Sequence, residues 1–192
     1  MPSRYTFPEA PTLDAQDDVL TVRLLPPEDL ITYLAIALQN TSDGDDVDRI
    51  ASSLVRKYDE THTGIWNRWI GVYAQDSGRL IGGMRADRMG GDLSDETCEI
   101  SSFVGRRYRG KGIAARAKGL LIPWLMHDDN WPLYRRVESV ISRSNESALR
   151  AIAKTSMCEV ASNEHSIVFG VGDYTHQTPD DILKRHMSVR LF

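Results

Sequence analysis

Residues 103–119 read FVGRRYRGKGIAARAKG: the end of an apolar strand, a turn carrying Gly110 and Gly112, and the start of a helix. A helix that begins there leaves its first backbone N–H groups without internal partners, and its dipole places roughly half a positive charge at that end. Glycines let an anion approach the same backbone closely. The charge pattern agrees. No acidic residue occurs between Val104 and His127, while Arg106, Arg107, Arg109, Lys111, Arg116 and Lys118 all fall inside that window. The whole chain is nonetheless acidic, with 27 Asp and Glu against 23 Lys and Arg and a formal net charge of −4. A glycine turn with a merely solvated basic face is the plainer alternative. The strand context and the segregation of charge favour a phosphate-binding turn.

The rest of the pattern places this unit in a mixed α/β fold. VLTVRLL (19–25) reads as a strand and EDLITYLAIAL (28–38) as a helix, with a second helix carrying Val47, Ile50, Leu54 and Val55 at helical spacing. WIGVYA and RLIGGMRADRM form a hairpin, and TCEISSFV is a third strand. After the central helix (110–126), which Pro123 should kink or stop, RVESVIS is a strand and NESALRAIAKTSM a helix. Two short strands and a terminal helix opened by Thr178 and Pro179 complete the chain. The expected boundaries are an N-terminal arm (1–17), one domain (18–174) and a C-terminal extension (175–192) that closes the fold or bridges subunits of a homodimer.

Several classes are disfavoured. The longest apolar run, Leu120–Met126, is far short of a membrane span, and the N-terminus has no secretory h-region. Cys98 and Cys158 cannot make a disulfide framework and are expected to be small buried residues. His62, His127, His165, His176 and His186 show no ligand spacing, so no metal is expected. Gly105–Lys111 fits GxxxxGK, but Gly112 stands where a nucleotide P-loop needs Ser or Thr for magnesium. Tyr108 is the only aromatic interleaved in the basic window, a poor stacking platform for nucleic acid. A soluble, cytoplasmic, bacterial-type protein is expected.

The run Arg107-x-x-Gly110-x-Gly112, followed by Ile113 and Ala114, resembles the acetyl-coenzyme A signature [QR]xxGx[GA] of the GNAT N-acetyltransferases. YRGKGIA is similar to the RimJ/RimL branch that acetylates ribosomal proteins. Downstream, Arg136-Val137-Glu138 and Asn145-x-x-Ala148 resemble that branch's next strand and helix, so the likeness spans about residues 18–174. It implies a central, mostly antiparallel twisted sheet flanked by about four helices.

It also implies acetyl-CoA as co-substrate. Its pyrophosphate would lie on Arg107, Arg109, Gly110, Lys111, Gly112, Ile113 and Ala114, and its pantetheine arm against the backbone of Phe103 and Val104 and against Asn145. An acceptor amine would attack the thioester directly. Glu99 is the candidate base, since a carboxylate is out of place in a covered central strand and the family often has Glu there. Ser147 is a candidate acid toward the thiolate, or a helix-capping residue. Ile152 stands where many members carry a general-acid tyrosine. Asp43, Asp45, Asp46, Asp48, Trp66 and Trp69 are weaker candidates for the acceptor cleft. The acceptor classes left open are a protein N-terminus, a small amine and aminoacyl-tRNA. A non-catalytic acyl-CoA-binding module remains the alternative.

Overall fold

In the computed structural model, residues 14–39, 55, 67–89, 96–127 and 134–189 are described. The second expected helix, Val55 apart, lies outside them, as do Asp43, Asp45, Asp46, Asp48 and Trp66. Among the described residues, eight strands form one sheet: β1 (Asp14–Gln16), β2 (Leu20–Leu24), β3 (Asn67–Ala74), β4 (Leu80–Arg88), β5 (Thr97–Val104), β6 (Arg136–Ser142), β7 (Cys158–Ser162) and β8 (Ser166–Gly172). Their order is β1-β2-β3-β4-β5-β6-β8-β7. Every pairing is antiparallel except that of β5 with β6. β1 lies inside the expected N-terminal arm. Asp17 Oδ1 accepts from the amides of Val19 and Leu20, which turns the chain back to pair β1 with β2.

Four helices cover the sheet among the described residues: α1 (Leu30–Leu38), α2 (Ile113–Leu125), α3 (Glu146–Ile152) and α4 (Pro179–Val189). Alternation sorts the strand residues between two faces. Leu20, Val22, Cys98, Ile100, Val137 and Ile141 meet Ile113, Ala117, Leu121 and Ile122 of α2 and Ile152 of α3 in the main core. The 3.6-residue period puts Ile113, Ala117 and Leu121 on one stripe, and complete burial of a side chain like Leu121 contributes about 1.5–3 kcal/mol. On the opposite face, Tyr33 of α1 packs against Trp69 and Phe103, and Ile182 of α4 packs against Ala161 and Val168. The C-terminal helix therefore closes its own fold.

Local signals explain the helix ends. Asn145 Oδ1 caps α3 by accepting from Ala148 N at 3.0 Å. Thr178 and Asp181 cap α4 reciprocally, with Pro179 at its first position. Pro123 does not stop α2, which runs two residues further to Leu125. It sits on the exposed side, and the missing N–H removes only one bond from the last turns. Cys98 is buried as expected, but Cys158, at the start of edge strand β7, is exposed. None of the described helices is long and apolar enough to cross a membrane.

Candidate functional site

β5 and β6 are paired only over Thr97–Glu99 and Arg136–Glu138. Beyond Glu99 they part, and a cleft of about 160 Å³ opens between them, lined by Ser101, Ser102, Lys118, Ser139, Val140, Ile141, Ser142, Asn145, Ala148 and Ala151. The backbone of β5 is oriented by its other neighbour. Gly105 N donates to Ile81 O, and Met89 N donates to Thr97 O, each at 2.9 Å, so the odd-numbered residues of β5 bond to β4. Alternation then turns the peptide groups of Ser102 and Val104 toward the gap. The Val104 carbonyl accepts from Arg109 Nε at 3.1 Å. Phe103 has its backbone on the β4 side and its ring against Tyr33, at 4.7 Å between centroids.

At the mouth of the gap the glycine turn takes the shape its sequence requires. Gly110 and Gly112 have φ of 76° and 78°, the left-handed region that a Cβ disfavours. A Cβ at either would meet no atom within 4 Å, so the turn's backbone is open on the outside. Arg106, Arg107, Arg109 and Lys111 are exposed around it, whereas Ile113 is a core residue that brings only its backbone to the helix start. The basic window is divided by the fold. Arg116 pairs with Asp17 and Asp18, at 3.3 and 3.2 Å, and Lys118 turns inward. An open turn, exposed cations and outward helix amides fit a pyrophosphate, and a strand edge facing a narrow cleft fits an extended amide-bearing arm.

Lys118 is 5% exposed, and its Nζ donates to Ser102 Oγ at 2.6 Å. Burial lowers its pKa to about 8. Asn145 lines the same cleft, with its side-chain carbonyl engaged in capping α3. Ser147 is exposed and is not among the cleft residues, because α3 turns Asn145, Ala148 and Ala151 inward instead. Ile152 is buried in the main core.

On the other face of the sheet, at the last paired row, Glu99 meets a cluster absent from the sequence-derived candidates. His186 of α4 places Nδ1 3.2 Å from Glu99 Oε2 and Nε2 2.7 Å from Glu138 Oε2. Arg185 Nη2 donates to Glu138 Oε1 at 3.1 Å, and Arg185 Nη1 donates to Thr97 Oγ1. Burial alone would lower the His186 pKa, but the bonds to Glu138 and Glu99 outweigh it and the pKa is raised. Glu138 is wholly buried, whereas the Glu99 side chain remains 25% exposed. Cys98, next to Glu99, is held as a thiol by burial and by the surrounding carboxylates. No group of three His, Cys, Asp or Glu suited to a metal occurs among the described residues.

One signal for this cluster was present in the sequence. Ile182, Arg185 and His186 follow the i, i+3, i+4 spacing that puts an ion pair on a helix's buried face. Lys118 is four residues before Ile122, on the apolar side of α2, an equally visible anomaly.

A parallel strand pair that splays beside a glycine turn, in an otherwise antiparallel sheet, defines a mixed α/β class of fold. The chain belongs to the GNAT acetyltransferases: the family model described as Acetyltransferase (GNAT) domain matches residues 11–157. No curated protein sequence matches it. Among solved structures, it is similar to the ribosomal-protein-S5-alanine acetyltransferase from Vibrio fischeri, at 15% identity and TM-score 0.65 over 84% of this chain and 97% of that one. It is also similar to FdhC, a nucleotide-linked sugar GNAT, at 11% identity and TM-score 0.66 over 95% and 98%. Spermidine N-acetyltransferase from Vibrio cholerae, in complex with CoA and spermine, gives 14% identity and TM-score 0.63 over 81% and 96%. At these identities the likeness establishes the shared fold.

Proposed function

We propose that the chain is an acetyl-CoA-dependent N-acetyltransferase in which a primary amine attacks the thioester directly. The observation that carries this reading is the cleft that opens between β5 and β6 just beyond the row where Glu99 stands, with the open turn at Gly110–Gly112 following the end of β5. Acetyl-CoA supplies the acyl group as a thioester. Arg107, Arg109 and Lys111, with the backbone of Gly110, Gly112, Ile113 and Ala114, hold the pyrophosphate. The backbone of Ser102 and Val104 holds the arm together with Asn145; Phe103, expected beside Val104 from the sequence, has its backbone bonded to β4 and its ring against Tyr33. An oxyanion at the carbonyl is stabilised by a backbone N–H on the splayed strand.

An amine reaches the site largely protonated, with a pKa near ~8 for an α-amine or ~10.4 for a lysine type, so a proton must be removed. Glu99 takes it, directly or through one water. His186, itself anchored by Glu138, fixes the carboxylate. The acceptor is a protein N-terminus or a small amine, the classes represented by the two named Vibrio structures, and the branch is RimJ/RimL-like.

A binding module without turnover is the second reading, favoured by the absence of a hydroxyl at Ile152 and by the outward position of Ser147. Calorimetry with CoA, followed by a thiol-release assay over a panel of amines and N-terminal peptides, separates the two. Binding with release on at least one amine is expected. Binding without release on any amine supports the module, and no binding overturns both.

A further inference from the structure

Lys118 is a lysine buried in an apolar setting. It stands on the apolar side of α2, where its neighbours along the helix are Ala117, Leu121 and Ile122. No carboxylate among the described residues pairs with it, and its one hydrogen bond is to Ser102. A lysine placed this way is held at a cost in desolvation, which an anion in the cleft would offset. Among the described residues that line the cleft it is the only ionisable group; the others are serines, Asn145 and apolar side chains.

Its position relative to Glu99 is also informative. Ser102 is three residues beyond Glu99 on β5, about 10 Å along the strand. Glu99 projects from the face covered by α4, whereas Ser102 and Lys118 lie toward α2. The two groups therefore flank the gap from opposite faces of β5.

We propose that Lys118 is the acid of the leaving group: its ammonium donates a hydrogen bond, and then a proton, to the sulfur of departing coenzyme A. This inference rests on the acetyl-CoA reading above. The amine nitrogen, whose first proton has passed through Glu99 to solvent, forms the C–N bond, the C–S bond breaks with its electron pair going to sulfur, and Glu99 takes the second proton that nitrogen loses and passes it to solvent. Sulfur receives the proton of Lys118, which solvent restores after the thiol leaves. A pKa lowered to about 8 brings the ammonium close to a thiol near ~8.5, the match that favours proton exchange between them. The other candidates for this task do not enter the cleft: Ile152 has no acidic proton and Ser147 faces out.

The test needs no acceptor. Free coenzyme A is titrated on the full chain while the ultraviolet absorbance of its thiolate is followed against pH. Lys118→Met and Lys118→Gln serve as two neutral replacements, and calorimetry reports occupancy. The thiol bound to the wild-type chain is expected to ionise about 1–3 pH units lower than in solution, and both variants are expected to abolish that shift while still binding coenzyme A. Binding with an unshifted thiol in the wild-type chain, or a shift that survives in both variants, overturns the assignment to Lys118 and leaves the cofactor reading intact. Failure of coenzyme A to bind the wild-type chain overturns both.

Discussion

His186 Nε2 lies 2.7 Å from Glu138 Oε2, and this contact joins α4 to the middle of the sheet at a point from which solvent is excluded. Arg185 holds the second oxygen of the same carboxylate. Removing one member of a buried ion pair leaves an uncompensated charge, which costs about 3–5 kcal/mol. Glu138→Ala is expected to destabilise the chain by that amount in urea denaturation. His186→Ala should cost less, since Arg185 still partners the carboxylate.

The same pair makes stability depend on pH. The folded-state pKa of His186 is raised because its bonds to Glu138 and Glu99 outweigh the effect of burial. A group with a raised folded pKa contributes its full stabilisation below the unfolded value, near ~6.5, and loses it as pH rises through the folded value. Denaturation measured across that window should show a falling free energy in the wild-type chain and a flatter one in His186→Gln. Equal slopes would remove His186 as the source.

Glu99 has a different sensitivity, because it is partly exposed and positioned from behind. As the proton acceptor, its replacement by Gln should lower kcat by about 10²–10⁴-fold with little change in acetyl-CoA affinity. His186→Gln should give a smaller loss of kcat and a displaced pH profile, the mark of a positioning residue. A Glu99→Gln chain with an unaltered rate would send the search for the base elsewhere.

Much of this arrangement was legible in the sequence, because local chemistry wrote it. Gly110 and Gly112 announced a turn with left-handed backbone, Asn145 and Thr178 announced helix starts, and alternation in CEISSFV put Glu99 and Ser101 on one side of β5. What was hidden depends on contacts between distant segments. The bond from His186 to Glu99 crosses 87 residues, and that from Lys118 to Ser102 joins a helix to the strand before it. The basic window looked like one patch until the fold tied Arg116 to Asp17 and Asp18, almost a hundred residues away in the chain.

The N-cap of α3 serves the fold and the cleft together. Losing the bond from Ala148 N to Asn145 Oδ1 is worth about 1 kcal/mol, so Asn145→Ala should lower thermal stability modestly. Because the same residue lines the cleft, coenzyme A affinity should fall as well. Asn145→Asp, which keeps the cap, should restore stability but not binding. Recovery of both would make the residue structural alone.

The division of the basic window gives a sharper contrast. Gly112→Ala forces a Cβ into a φ of 78°, a conformation that costs an L-residue about 1–2 kcal/mol, although no neighbouring atom obstructs it. Any loss of coenzyme A affinity beyond that of the fold would come from the backbone shifting away from the pyrophosphate. Arg107→Ala removes an exposed cation beside the turn and should weaken coenzyme A binding, more so at low salt, where screening is least. Arg116→Ala removes a cation already paired with Asp17 and Asp18 at the surface, so its cost should stay within about 1 kcal/mol of stability. Coenzyme A affinity should be nearly unchanged. Calorimetry at two salt concentrations separates these variants: equal losses for Arg107→Ala and Arg116→Ala would mean that the anion reads the net charge of the window and not the geometry of its turn.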